Sequence, residues 1–340
     1  MEPMTEPYVV VPPVAGKILN DRSGNDTSSP NPHDDTLDEL QQGLLAPTAQ
    51  VSPKFLYDAL GSRLFEAICE LPEYYPTRTE AAIFELHGED IAAATGTGVT
   101  LIDLGAGNCA KAARLFPSLL PRQYVPVDIS VDFLGAAVEG LRQRFPQLPI
   151  QEVGMDFSSV LALPDSVQRE HRLFFYPGSS LGNFAPAEAL QFLRRLRQAL
   201  PTGEAGGVLL GVDLVKAPTL LNAAYDDELG VTAAFNLNLL RHLNRLLDAD
   251  FALRDWQHRG FFNAKLQRVE MHLEARRDVL VHWRNGGQRR FQQGERIHTE
   301  SSYKFTAEGF ADLLGQAGFG EISQWFDPQR WFMVCHARAV

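Results

Sequence analysis

A glycine turn, a lysine and two separated aspartates are the residues of this chain whose types and spacing first point to chemistry. Residues 101–116, LIDLGAGNCAKAARLF, are an apolar run that ends on glycines and continues at helical spacing, with Gly105-x-Gly107-x-x-Ala110 at the turn. Glycines there let the backbone approach a ligand at a helix N-terminus. A dinucleotide fits this pattern, and so does any other nucleotide-bearing cofactor. Asp128 follows Gly107 by 21 residues, where either class places a ribose-binding carboxylate. Asp156 with Phe157 is more discriminating, because an adenine ring needs an acceptor for its amino group and an apolar face.

These residues need elements that deliver them to one place. From residue 99 onward, short β-rich runs (VTLIDLG, YVPVDIS, IQEVGMDF, LFFYPGSS, GVLLGVDLV) alternate with helical stretches. Strands apolar on both faces belong in a parallel sheet with helices on either side. Residues 186–200 illustrate the helices, with Pro186 at the start, leucines near helical spacing, and Pro201 and Gly203 to stop them. In such a sheet the ligand sits beyond the carboxyl ends of the strands, where Gly105, Gly107, Asp128, Asp156 and Phe157 fall.

After Val215 the pattern changes. Residues 216–255 read as helices, RVEMHLEARR and DVLVHWR as strands, and residues 306–319 as a helix before two last strands, EISQWF and WFMVCHARA, joined at Asp327-Pro328. Five parallel strands finished by a helix and an antiparallel hairpin predict a Rossmann-like S-adenosylmethionine-dependent methyltransferase domain with a mostly parallel seven-stranded sheet. An NAD-dependent oxidoreductase would share the glycine turn and Asp128, but gives no reason for Asp156-Phe157 or the hairpin. S-adenosylmethionine ends in an amino acid, and Lys111 near the helix start is placed to meet its carboxylate.

Composition narrows the partners. With 31 basic against 42 acidic residues and no Lys/Arg stripe, neither nucleic acid nor an anionic membrane is an expected partner. Cys69, Cys109 and Cys335 are far apart and form no C-x-x-C, and the nine histidines show no ligand spacing, so neither a disulfide framework nor a metal is expected. No apolar run approaches ~18 residues, and the expected location is the cytoplasm. Residues 1–35 are rich in Pro, Asn, Asp and Ser without apolar periodicity, and read as a disordered extension.

FLYDALGSRLFEAICELPEYYPTRTEA (residues 55–81), SSLGNFAP, AYDDELGVTAAFN, RVEMHL and TESSYKF occur in this order along the chain. With these segments the sequence resembles the histidine-specific Nα-methyltransferase family of ergothioneine biosynthesis, from about residue 51 to the C-terminus. The resemblance implies three successive methyl transfers from S-adenosylmethionine to the α-amino group of L-histidine, giving the betaine hercynine. The same chemistry on another amino acid, such as tryptophan, is the alternative. It implies a second, α+β substrate-binding domain from residues 36–79 and 216–303, beside a methyltransferase domain of residues 80–215 and 304–340. A monomer is the expected state.

Carried over position by position, the resemblance gives Asn183 and Tyr225 to the substrate carboxylate, Tyr57 to the amine, where it is also the catalytic candidate, and Tyr74 to the imidazole. Glu300 and Ser302 would recognise the far side of the ring, and Met271 would pack near it. Gly105, Lys111, Asp128, Asp156 and Phe157 match on the cofactor side, with Gly107 in the same turn. The turn GAGNCAK lacks the Ser or Thr that many relatives carry, and Ser301 stands where an apolar residue is common. A carboxylate and a hydroxyl would satisfy both ring nitrogens of an imidazole.

Overall fold

The computed structural model describes residues 32–158, 160–201 and 206–340. Most of the stretch read as a disordered extension, residues 1–31, lies outside these. Its last residues are helical, because α1 (Pro32–Leu45) begins at the proline. Two further helices, α2 (Ala59–Cys69) and α3 (Tyr75–Thr95), precede the sheet. α3 is continuous through positions 79 and 80, where the sequence places a domain boundary, and bends at His87 (φ −119°, ψ 15°).

The alternating region follows: β1 (Thr100–Leu104), α4 (Ala110–Leu119), β2 (Gln123–Asp128), α5 (Val131–Arg144), β3 (Val153–Gly154), β4 (Arg172–Tyr176), α6 (Pro186–Gln198) and β5 (Gly207–Asp213). β1 and β5 are buried along their whole length, as expected for strands covered on both faces. α6 starts on Pro186, its Glu188 carboxylate reaches back to accept from the Ala185 N–H at 2.9 Å, and Ala189, Phe192, Leu193 and Leu196 form its buried face. The run IQEVGMDF is a correction: only Val153 and Gly154 form a strand, at the sheet edge, with a single bridge from Ile150 to Tyr124.

The next block holds α7 (Pro218–Tyr225), α8 (Val231–Leu247), β6 (Trp256–Asn263), β7 (Arg268–Ala275), β8 (Val279–Trp283), β9 (Gly287–Phe291) and β10 (Arg296–Tyr303). α9 (Ala307–Gln316), β11 (Phe319–Phe326) and β12 (Phe332–Ala339) complete the chain. The large sheet runs β11-β12-β5-β4-β1-β2-β3, parallel from β3 to β5 and antiparallel at β12 and β11. This is the Rossmann-like methyltransferase arrangement, and its strand order turns back between β1 and β4. A separate antiparallel sheet, β10-β7-β6, and the hairpin β8-β9 make the second domain α+β.

The cores separate in the same way. Leu40 to Tyr75 and Leu221 to Ile297 supply one hydrophobic cluster, which includes Trp256, Phe235 and Leu243, while two others cover the faces of the large sheet. The chain leaves β5 and comes back beside it: Val215 donates its N–H to the Phe305 carbonyl at 2.9 Å, and Phe305 donates to the Asp213 carbonyl at 3.1 Å.

Candidate active site

The turn after β1 opens the cleft. Gly105 (φ 71°) and Gly107 (φ 52°) take left-handed conformations, and a Cβ on Gly107 would meet nothing within 4 Å. Conformation, and open space for a ligand, therefore account for that glycine. Asp128 at the end of β2 accepts from the Gly107 N–H and the Ser130 N–H, each at 2.9 Å, which pins both turns and leaves carboxylate lone pairs for ribose hydroxyls. Asp156 accepts from the Ser158 N–H at 3.1 Å and from its hydroxyl, and Lys54 Nζ approaches at 3.4 Å. Burial raises the Asp156 pKa, but these donors outweigh it and hold the carboxyl below its usual range. Phe157 stands edge-on to Tyr176, 5.7 Å between ring centres, beside the Gly105 turn.

Lys111, in the first turn of α4, lies 2.8 Å from the carboxylate of Glu80. Glu80 is 1% exposed, and its other oxygen accepts from the Gly178 N–H at 2.7 Å. One buried carboxylate on α3 thus fixes both Lys111 and the loop after β4. The groups available to S-adenosylmethionine are an open glycine turn, a carboxylate anchored by two backbone N–H groups, an acceptor beside an aromatic ring, and a lysine paired with Glu80.

Gly105, Gly107 and Lys111 come from the glycine turn and its helix, Asp128 from the end of β2, and Asp156 and Phe157 from the loop after β3; all six line one cleft of about 1630 Å³, together with Tyr57, Tyr74 and Asn183. That exceeds the ~300–1,000 Å³ of a single-ligand pocket and leaves room for a second molecule. Tyr225, Met271, Glu300 and Ser302 are not on its wall. Tyr225 is joined to the wall by a ring contact, meeting Tyr74 edge-on at 6.1 Å, and Ser302 hydrogen-bonds Tyr225 at 2.9 Å. On the wall itself Phe65 meets Tyr74 at 6.0 Å and Tyr57 at 5.5 Å, and Tyr57 also meets Phe235 at 5.5 Å.

Glu300 and Met271 are opposite one another on β10 and β7, after a register shift between His298 and Glu300. Met271 is 2% exposed and belongs to the core of the second domain. Glu300 is 7% exposed, and burial raises its pKa to about 7 against a smaller opposing pull from Lys304. No protein group among the described residues hydrogen-bonds the Glu300 carboxylate, the Tyr57 and Tyr74 hydroxyls, or the Asn183 amide. Burial, and then the charge of Glu300, push the Tyr57 phenol well above its ordinary value. It is a neutral hydrogen-bonding group and a poor base.

Residues 36–339 match a family described as "Histidine-specific methyltransferase, SAM-dependent". The chain belongs to this family. Among curated relatives, a histidine N-alpha-methyltransferase of Mycolicibacterium smegmatis is 39% identical over 85% of this chain and 90% of its own length. That of Mycobacterium tuberculosis is 36% identical over the same shares. A 4-dimethylallyltryptophan N-methyltransferase of Arthroderma benhamiae is 24% identical over 84% of this chain and 88% of its own. Membership in the histidine-specific methyltransferases removes the dehydrogenase alternative and makes S-adenosylmethionine the cofactor.

Within this member of the histidine-specific methyltransferases, Glu80, Lys54 and Lys304 are site-forming residues that the sequence reading did not single out. Glu80 sits inside the quoted TRTEA segment, and an acid on the buried face of a helix was the available signal. Lys54 and Lys304 meet partners far along the chain, at Asp156 and Asp213, and spacing carries no signal of that. Among the described residues no group of three His, Cys, Asp or Glu is arranged to hold a metal ion, and no helix is long and apolar enough to cross a membrane.

Proposed function

We propose that this enzyme methylates the α-amino group of L-histidine three times to give hercynine, the opening step of ergothioneine biosynthesis, at the junction of its two domains. The observation that carries the substrate assignment is the unpartnered set Tyr57, Tyr74, Asn183 and Glu300 next to the cofactor cleft. Tyr74 and Glu300 are buried and Tyr57 and Asn183 half-buried, and polar groups with no protein partner at the edge of a cleft are free to pair with a ligand of complementary groups. In this reading Asn183 and Tyr225 take the substrate carboxylate, Tyr57 the amine, and Tyr74, Glu300 and Ser302 the ring, while Met271 packs the floor.

Bound in the cleft, S-adenosylmethionine supplies an electrophilic methyl on a sulfonium centre and leaves as a neutral thioether, so no acid is required. Lys111, Asp128, Asp156 and Phe157 would hold its amino-acid, ribose and adenine parts. The amine must present a lone pair, and a free α-amino group with a pKa of ~8 is partly neutral at working pH. Tyr57 therefore orients the amine and its proton departs to water, with proximity supplying most of the acceleration. The ring cluster Tyr57, Phe65, Tyr74, Phe235 also suits the growing quaternary ammonium, since aromatic faces attract cations.

Mass spectrometry of L-histidine incubated with the protein and S-adenosylmethionine, with tryptophan, tyrosine and glutamine in parallel, tests this reading. Trimethylated histidine is the expected product. Methylated tryptophan in its place would overturn the role given to Glu300 and leave the cofactor assignment standing.

A further inference from the structure

Residues 53–66 run along the cleft and touch the turns after β1, β2 and β3. The chain makes one short helical turn, Pro53–Leu56, passes Tyr57 and enters α2, which Asp58 caps. Lys54 Nζ approaches Asp156, after β3, at 3.4 Å, and Glu39 of α1 at 2.8 Å. The Tyr57 carbonyl accepts from the Ser130 hydroxyl, after β2, at 3.1 Å. The Glu66 carboxylate accepts from the Asn108 amide, after β1, at 3.1 Å. Chemistry fixes the donor in all three contacts: an ammonium, a hydroxyl facing a carbonyl, and an amide whose oxygen already accepts from the Ala110 N–H at 3.1 Å. Lys54, Tyr57, Glu66, Asn108, Ser130 and Asp156 all line the cleft.

On its other side the same segment is fastened to α8 of the second domain. His242 Nδ1 meets the Phe55 carbonyl at 2.8 Å, Asn238 donates to Asp58 at 2.7 Å, and Arg245 pairs with the same carboxylate. α8 also carries Phe235, which stands against the Tyr57 ring. A second junction between the domains is of another kind. Asp213, 1% exposed at the end of β5, accepts from the Tyr75 hydroxyl at 2.9 and 2.7 Å, from Lys216, and from Lys304, whose Nζ is 2.8 Å away. Opening that group would strand a buried charge. The contacts of Lys54, Ser130 and Asn108 are half-buried or exposed, where water can replace either partner, so they are the ones a ligand in the cleft can strengthen or release.

We propose that Ser130 and Lys54 are positioning residues for Tyr57: an adenosine group on Asp128 and Asp156 fixes the turns that hold residues 54–57, and through them the tyrosine that meets the substrate amine, so that cofactor and amino acid bind with positive coupling. Ser130 is the central link, because its N–H is held by Asp128 at 2.9 Å while its hydroxyl holds the Tyr57 carbonyl. The inference rests on the assignment of Tyr57 to the amine of histidine. Contacts that only stabilise the ligand-free fold would leave the two affinities independent.

The test is calorimetric. The Kd of L-histidine is measured alone, with saturating S-adenosylhomocysteine, and with saturating methylthioadenosine, which keeps the adenosine and lacks the amino-acid end. The wild-type protein is expected to bind histidine about tenfold or more tightly with either nucleoside present. In the double variant Ser130→Ala/Lys54→Met that factor falls to about threefold or less, with each single variant in between, while the Kd of histidine alone changes less than about twofold.

Equal histidine affinity with and without nucleoside in the wild type overturns the proposal, as does an unchanged factor in the double variant. Coupling with S-adenosylhomocysteine but none with methylthioadenosine also overturns it, and would move the link to Lys111 and Glu80. A wild-type protein that binds histidine under none of these conditions overturns instead the functional reading on which the proposal rests.

Discussion

On the cofactor side of the cleft the carboxylates arrive already paired: Asp128 with two backbone N–H groups, Glu80 with Lys111 and Gly178, Asp156 with Ser158 and Lys54. On the amino-acid side Tyr57, Tyr74, Asn183 and Glu300 have no hydrogen-bond partner among the described residues. The first arrangement holds loops in shape whether or not a ligand is bound. The second leaves polar groups without a protein partner, and for the buried Glu300 carboxylate burial carries a desolvation cost that a matching substrate would offset. On the proposed assignment, cofactor affinity would be a property of the scaffold, while amino-acid selectivity would draw on the stability given up at Glu300.

If this contrast is right, changes on the two sides should separate cleanly. The largest effect is expected from Glu300→Ala, which should cut kcat/KM for histidine by about a thousandfold while the calorimetric Kd for the cofactor moves less than about threefold. A parallel loss of cofactor affinity would break the division. Next comes Asp128→Ala: its loss removes the anchor of the Gly107 turn as well as a ribose acceptor, and cofactor Kd should rise about a hundredfold.

Glu300→Gln probes the cost directly through stability. The Glu300 pKa is about 7 in the folded protein against an ordinary value near 4.5, so the fold favours the protonated acid. The contribution of that acid is fully present below pH ~4.5 and is lost as pH rises through about 7. Above pH 7, Glu300→Gln should therefore stabilise the ligand-free protein by on the order of 2 kcal/mol in denaturant titrations, and at pH 4 by almost nothing. A destabilised variant at pH 8 would mean that Glu300 is paired in solution. The smallest effect is expected for Tyr57→Phe, about a tenfold fall in kcat, since a phenol held above its ordinary pKa orients the amine without taking its proton. A loss beyond about a thousandfold would make Tyr57 a base and undo that assignment.

The large sheet was legible in the sequence because its strands are apolar on both faces and end on Asp and Gly. β3 was overread: an apolar run at the sheet edge has only β2 to pair with, and two residues of it do. The second domain was harder. β7 and β8 were expected from RVEMHLEARR and DVLVHWR, but β6, β9 and β10 were not, and β10 explains why: RIHTESSY buries Thr299, Glu300, Ser301 and Ser302 where an ordinary strand would carry apolar residues. Buried polar residues of this kind erase the alternation by which a strand is read. The individual site residues came from the family's motifs, whereas the ion group around Asp213 could come only from three dimensions.

The return of the chain to the residue beside its exit from β5 gives the fold the character of a socket. Whatever is threaded between Val215 and Phe305 begins and ends at adjacent backbone positions, so its length and content can change at a closure cost that grows only with the logarithm of length. Another amine-recognising block grafted at those two points would leave β1 to β5 in register, provided it also offered an apolar face to Leu40 through Tyr75, which share a core with the present block. Two lysines would have to travel with the graft. Lys216 and Lys304 sit at its two ends, and without them Asp213 would remain on the host side as an uncompensated buried charge.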